Sequence, residues 1–340
     1  MPTIRDVARA AGVSPATVSR ALNGSGYVSP ETRQRVLDAA ARLGFTPSYI
    51  ARSLVRKATR TLGLLVPDIT NPYFPAIARG VEDAAARAGY SVVLCNTDGD
   101  PDHEEDYIQF LRERQVDGLV LIASSPRAGE LVARGDAPPV VFVDRVPPGA
   151  RADVVVVDNR RGMLEATRHL LALGHRRIGF VAGRVGSGTA EERLAGYLAA
   201  LGEAGIAPDS HYIAPGDFTF QGGYQAARGL LSLPDRPTAV VAANDLMAVG
   251  VCRAALEAGL RIPQDLAVVG YDDIPMAELI HPPLTTVAQP TYQMGELAAR
   301  LLMERLEGRA GPEPRRVVLE ARLVVRESCG AALAAGGRGG

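Results

Sequence analysis

The side chains best suited to chemistry on another molecule lie close to the amino terminus, in Ser14–Asn23 (SPATVSRALN). Ser14 is a good N-cap, because its hydroxyl can accept from an otherwise unpaired first-turn amide. Pro15 suits the first helical position, where its missing N–H is not needed. Val18 and Leu22, four apart, can face a core together and leave Pro15, Ala16, Thr17, Ser19, Arg20 and Asn23 for the outer faces. Small polar side chains and one arginine on a short helix suit a DNA groove. The same ten residues could also be half of an ordinary helical hairpin, the less favoured reading, and the rest of the chain must decide.

Catalytic patterns are missing. There is no Walker loop, GxSxG elbow or HExxH, and the glycines of Gly183-Arg184-Val185-Gly186-Ser187-Gly188 do not follow the dinucleotide fingerprint. His103-Glu104-Glu105 has no second histidine at metal-helix spacing, which leaves His103 as a surface residue. Asp272-Asp273, directly after the apolar run Val268–Tyr271, would serve as catalytic carboxylates or as a ligand clamp. No enzyme, catalytic residue, metal ligand or cofactor is predicted.

The elements that must position these residues follow from periodicity. Ile4, Val7, Ala8 and Ala11 predict a helix before Ser14, and Gly12-Val13 the turn between the two, which is a helix-turn-helix layout. A third helix is predicted over Pro30–Leu43, with Ser29 as cap, Val36, Leu37, Ala40 and Leu43 inward, and Gly44 at its end. These make a small all-α headpiece over residues 1–46. Residues 47–58 form a hinge that is coded as helix but short to stand alone, since roughly 12–15 residues are needed in water.

From Thr61 short apolar runs alternate with helical stretches, beginning with Leu62–Val66, Pro75–Ala88, Val92–Cys95 and Glu104–Arg114 and continuing past Ala267–Val269. Alternation of this kind predicts an α/β fold with parallel sheets. Its length suits two doubly wound lobes with a ligand between the carboxyl ends of their strands. The expected core covers 59–328, with lobe 1 at about 60–158 and 291–320 and lobe 2 at about 159–290 and 321–328. Residues 329–340 are expected to be a disordered tail.

Charge separates the headpiece from the core. The chain has net charge −1, yet Met1–Arg60 holds ten basic and three acidic residues, +7, which leaves −8 for the remainder. A basic arm on an acidic body is the balance expected for nucleic-acid binding, because neutralising phosphates supplies most non-specific affinity. Three scattered cysteines, Cys95, Cys252 and Cys329, offer no disulfide framework and suit a reducing cytoplasm. No membrane-length apolar run and no export-signal pattern is present, so a cytoplasmic protein without membrane contact is expected.

An ordered set of short motifs then resembles one family. Thr3-Ile4-Arg5-Asp6-Val7-Ala8, Gly12-Val13-Ser14, Ala16–Asn23 and Val28-Ser29 resemble the headpiece of the lactose/galactose repressor (LacI) family, and Ala51-Arg52-Ser53-Leu54 its hinge helix. Asn71-Pro72-Tyr73-Phe74, Val116-Asp117-Gly118, Leu173-Gly174-His175, Arg193–Tyr197, Asn244-Asp245, Val269–Asp273 and Pro283–Thr286 continue the match in order.

The resemblance implies a homodimeric transcription regulator, expected to be a repressor, on a palindromic operator, with a core like periplasmic sugar-binding proteins. It implies base reading by Pro15, Ala16 and Arg20, phosphate contact by Ser14, Thr17, Ser19 and Asn23, and hinge contacts by Arg52 with Leu54 wedged in the minor groove. It implies effector contacts by Tyr73, Phe74, Asp144, Arg145, Arg193, Phe218, Asn244, Asp272 and Gln289, with Tyr73 at the rim. This set suits a monosaccharide, and most closely ribose-type binding of a pentose. A nucleobase effector, control by a phosphorylated protein partner, and a solute-binding protein without DNA function are the alternatives. The tail lacks leucine heptads, so a dimer is expected.

Overall fold

A computed structural model of the chain describes residues 2–23, 26–45, 58–133 and 137–332. The amino-terminal unit contains helices α1 (Ile4–Ala11), α2 (Pro15–Asn23) and α3 (Pro30–Leu43). α1 starts at Thr3, whose N–H and hydroxyl donate to the Asp6 carboxylate at 2.9 and 2.7 Å. It ends at Gly12, whose φ of 65° is one that glycine adopts without penalty. α3 starts at Ser29, whose hydroxyl accepts from Thr32 N–H at 3.3 Å.

The core of this unit is smaller than the apolar pattern predicts. Val7, Val18, Val36 and Ala39 are fully buried, whereas Leu37 and Leu43, expected inside, are 42% and 39% exposed. Three short helices close over small side chains, and Val36, Ala39 and Ala40 form the i, i+3, i+4 stripe that faces in. In α2, Ala21 is buried and Leu22 is half-buried.

From Thr61 the chain builds two α/β lobes. The first holds β1 (Thr61–Val66), α4 (Tyr73–Arg87), β2 (Ser91–Asn96), α5 (Pro101–Glu113), β3 (Gly118–Leu121), α6 (Arg127–Ala133), β4 (Val140–Val143) and β5 (Asp153–Val157). The second holds α7 (Asn159–Ala172), β6 (Ile178–Val181), α8 (Gly188–Glu203), β7 (Ile213–Ala214), α9 (Phe220–Leu231), β8 (Ala239–Ala242), α10 (Asp245–Glu257), β9 (Ala267–Asp272), α11 (Met276–Leu279) and β10 (Thr285–Ala288). The chain returns to the first lobe with α12 (Thr291–Leu306) and β11 (Arg316–Leu319), and ends in the second with β12 (Arg322–Val324). The sheets run β11-β5-β4-β3-β1-β2 and β12-β10-β9-β8-β6-β7. Every pairing is parallel except β10 with β12. Among the described residues no helix is long and apolar enough to cross a membrane.

Several boundaries differ from the apolar pattern. Helices start a turn earlier than their first apolar residue suggests. α5 begins at Pro101 because the Asp100 carboxylate accepts from Asp102 N–H at 2.8 Å. β10 begins with two fully buried threonines, Thr285 and Thr286, which an apolar count passes over. The tail expected from residue 329 starts too early: Ser328 and Cys329 are 0% and 1% exposed. The Ser328 hydroxyl accepts from Thr285 N–H at 2.8 Å and donates to the Val268 carbonyl at 2.7 Å, which holds this segment on the second sheet.

Helix glycines are where neighbouring helices within each lobe approach most closely. A Cβ on Gly80 of α4 would lie 2.1 Å from the Tyr292 carbonyl oxygen of α12, and one on Gly295 would lie 2.0 Å from the Ile77 carbonyl. In the second lobe Gly250 of α10 meets the Phe220 carbonyl of α9 in the same way, at 2.3 Å. Backbone-to-backbone approach this close excludes any side chain. Gly295→Ala should therefore lower stability by about 1–3 kcal/mol despite alanine's better helix propensity, because overpacking outweighs it. Exposed Gly229, with nothing within 4 Å of its virtual Cβ, is the opposite case. Gly229→Ala should raise stability by about 0.5–1 kcal/mol. Urea-melt midpoints check both, and the same sign for both variants would contradict this account.

Candidate functional site

Two places gather the singled-out residues. In the amino-terminal unit, Ser14 caps α2, its hydroxyl accepting from Thr17 N–H at 3.1 Å and bonding the Thr17 hydroxyl at 2.9 Å. The Asn23 amide donates to Ser19 Oγ at 3.2 Å. Ser14, Pro15, Ala16 and Arg20 are exposed, and Thr17, Ser19 and Asn23 are half-buried. Ala16 and Arg20, four apart, share one outward face beside Pro15. The aliphatic stem of Arg20 lies against Gly26, whose virtual Cβ would sit 3.5 Å from Cδ. Arg52 and Leu54 lie outside the described residues.

The second place is a cavity of about 330 Å³ between the two lobes, at the carboxyl ends of their strands. Eight of the nine expected effector residues line it, and the ninth, Gln289, supports two of them from behind. The Asp144-Arg145 pair follows β4 and Asp272 closes β9. Asp144, Phe218 and Asp272 hold positive φ of 61°, 72° and 119°. Non-glycine residues adopt such backbone at a cost of order 1–3 kcal/mol, and here it turns three side chains into one space.

The floor of the cavity is one hydrogen-bonded network. Tyr73, expected at the rim, is instead 4% exposed. Its hydroxyl is shared between Asp144 Oδ1 at 3.0 Å and Gln289 Oε1 at 3.2 Å. The Asn71 side chain starts the α4 turn by accepting from Tyr73 N–H at 3.1 Å, which draws the aromatic pair inward. Gln289 Nε2 donates to Asp272 Oδ1 at 2.8 Å. Arg193, 3% exposed, donates to Asn159 Oδ1 at 2.8 Å and to the Ala243 carbonyl, and lies 3.5 Å from Asp272 Oδ1. Its guanidinium stacks 3.9 Å from the Tyr271 ring centroid. Asn244 spends its side chain inside the protein, accepting from Met247 N–H and donating to the Phe218 carbonyl, both at 3.0 Å.

Burial dominates the electrostatics. It raises the Asp272 carboxyl to about 7, with nearby Asp144 adding to the rise and Arg193 and Gln289 opposing it. Burial also holds Asp245 well above the usual carboxylate range, next to Asp272. Burial then lowers the Arg145 guanidinium, although Asp144 beside it favours the charge. Burial is also the largest single influence on Arg193 and pulls it down, but Asp272, Tyr271, Asp144 and Tyr73 together raise it overall.

Two aromatic rings complete the cavity. The Arg145 guanidinium lies 5.7 Å from the Phe74 centroid and 5.4 Å from that of Phe218. Apolar faces, carboxylate acceptors and guanidinium donors in one small space match a ring bearing several hydroxyls. A second chamber of about 550 Å³ adjoins it, sharing Asp144, Arg145, Arg184 and Thr189 and extending to Ser124, Ser125 and Arg316.

Sequence reasoning missed Asn159, Tyr271 and Asp245, which orient the lining residues. Tyr271 and Asp245 stood inside the quoted motifs without a role. Asn159 carries no signal, since only the fold brings it to Arg193.

Comparison with known proteins shows the family. Residues 3–48 match the model for bacterial regulatory proteins of the lacI family, and residues 167–329 match that for a periplasmic binding protein-like domain. The chain is 40% identical over 328 residues to the ribose operon repressor of Haemophilus influenzae, covering 96% of this chain and 98% of that one. It is 39% identical over 330 residues to the HTH-type transcriptional repressor PurR of Photobacterium profundum, with 96% and 98% covered. The crystal structure of the Lac repressor dimer bound to operator and the anti-inducer ONPF superposes with a TM-score of 0.87 at 30% identity, covering 96% of this chain and 99% of that one. By sequence and by fold, the chain belongs to the lacI family of bacterial regulatory proteins and is a DNA-binding transcriptional regulator.

Proposed function

We propose that this regulator acts in the cytoplasm as a homodimeric repressor on a palindromic operator, and that a neutral monosaccharide, a pentose such as ribose, sets its operator affinity from the interlobe cavity. The observation that carries the effector reading is the cavity's donor and acceptor set: buried Asp144 and Asp272, with Arg145 and Arg193, beneath the Phe74 and Phe218 rings. Tyr73, Asn244 and Gln289 hold that set in place. The name of the Haemophilus relative, a ribose operon repressor, supports a pentose. A purine nucleobase is the second reading, supported by the similarity to a purine repressor. On DNA, Pro15, Ala16 and Arg20 read base edges, and Ser14, Thr17, Ser19 and Asn23 contact phosphates. Arg52 and Leu54 are assigned to the minor groove on family resemblance alone.

A thermal-shift screen of D-ribose, other pentoses, hexoses, adenine and guanine separates the two readings. D-Ribose should raise the melting temperature, since ligand at about 100 times its Kd adds about 2.7 kcal/mol to the native state. A shift with a purine and none with any sugar would replace the first reading by the second.

The pH dependence follows from Asp272. Its raised pKa leaves the empty cavity partly protonated near neutrality, and sugar hydroxyls favour the carboxylate form. Binding should therefore release a proton, and affinity for D-ribose should tighten as pH rises from 6 to 8. Asp272→Asn should weaken binding by roughly 10-fold or more, as loss of a hydrogen bond to a charged group does, and should flatten that pH profile. Calorimetric titrations at both pH values check the sign, and weaker binding at pH 8 would contradict it.

For DNA, Arg20→Ala should relax base preference in a palindromic duplex, at a cost of about 1–3 kcal/mol of discrimination, and leave D-ribose binding intact. Gel-shift competition between operator and scrambled duplex at fixed salt measures it. Unchanged discrimination would remove Arg20 from base reading.

A further inference from the structure

The loop between β6 and α8, Gly183-Arg184-Val185-Gly186-Ser187-Gly188, matched no phosphate-binding pattern, yet it reaches across the cavity. Arg184 is exposed, and its Nη1 donates at 3.3 Å to the carbonyl of Gly99, in the first-lobe loop after β2. Both residues line the 330 Å³ chamber. β2 is the edge strand at the opposite end of its sheet from β5 and β11, whose ends lead into crossings between the lobes. β6 likewise stands toward the edge away from β10 and β12. The bond therefore joins the lobes opposite their hinge, where it resists opening with the greatest leverage.

Each side of this contact is built for it. On the first lobe, Asp98 and Gly99 adopt consecutive left-handed φ of 54° and 67°. The Asn96 amide donates to Asp98 Oδ1 at 2.6 Å, and its oxygen accepts from Ile69 N–H at 2.7 Å. The Gly99 carbonyl is thus held by a fixed turn. A Cβ on Gly99 would lie 2.5 Å from Arg184 Nη1, so glycine also supplies the clearance. On the second lobe, a Cβ on Gly183 would fall 2.2 Å from Cζ of Phe218. The root of the loop abuts the tip of the Phe218 ring, which lines the chamber.

We propose that Arg184 is a clasp on the cavity mouth that sets how long the effector stays bound. This rests on the reading of the cavity as the effector site. A contact made after entry slows departure and barely affects arrival, so its effect falls on the dissociation rate.

The test uses the full-length protein, with Arg184→Ala, Arg184→Lys and Gly99→Ala. Stopped-flow tyrosine fluorescence gives D-ribose association and dissociation rates, and hydrogen exchange without ligand reports on the loops at 97–100 and 183–188. Arg184→Ala should release D-ribose about 3- to 10-fold faster, the range for one net hydrogen bond, with association changed less than about twofold. Arg184→Lys, which keeps a donor, should restore part of the difference, and Gly99→Ala should mimic Arg184→Ala. Exchange in both loops should rise in Arg184→Ala. An unchanged dissociation rate overturns the clasp whatever the exchange shows. If D-ribose does not bind the wild-type protein, the sugar reading fails and exchange alone decides: faster exchange in both loops supports the clasp, and unchanged exchange overturns it.

Discussion

The buried guanidinium of Arg193 is the group on which the cleft depends. A charge at 3% exposure is tolerable only when every side of it is answered. Asn159 from the start of α7, the Ala243 carbonyl at the end of β8, Asp272 at the end of β9 and the Tyr271 ring answer it together. Those elements are distant in sequence, so one side chain of α8 gathers three strand and helix ends at a single point. Without it, Asp272 would lose the main charge that opposes the rise caused by burial and by Asp144.

That arrangement explains why the cavity is strained as well as charged. Asp144, Phe218 and Asp272 all sit at strand ends or in the loops between, with left-handed backbone that ordinary residues avoid. Gln289 and Tyr73 lock the carboxylates from behind, so those side chains are already in place before a ligand enters. Preorganisation of this kind reduces the entropy lost on binding and spends stability to do so. The rest of the fold offsets the loss: tight glycine-to-backbone helix packing in both lobes, and the fully buried Asp153, whose carboxyl Arg305 and Arg315 together hold down at about 2 despite its burial.

What the sequence made legible follows a physical line. Apolar runs for parallel strands are fully buried and stand out, so two doubly wound lobes could be read directly. Caps such as Ser14 and Ser29 were legible because their chemistry is local. Leu37 and Leu43 were misplaced because amphipathic spacing does not say how small a three-helix core is. Asp100, a cap outside the apolar pattern, was missed, and α5 was started three residues late. Asn159, Asp153 and the role of Arg184 were beyond reach for a different reason: each acts through a partner more than 30 residues away. Tyr73 was expected at the rim and lies deeper, since the Asn71 turn that draws it inward is a matter of backbone geometry.

Coupling between the two functional places has a simple physical requirement. A ligand moves an equilibrium only by its differential affinity for the two arrangements. Asp144 and Arg145 belong to the first lobe, whereas Arg193, Phe218 and Asp272 belong to the second. A ring held by both sets is bound more tightly when the lobes are together than when they part. On the proposed reading of the cavity, the differential affinity would reside in the bridging contacts. The first lobe is also the one that follows the headpiece in the chain, its β1 beginning at Thr61. A carboxylate and a guanidinium stand on each side of the cleft, so a ligand that reached both pairs would bear on both lobes at once.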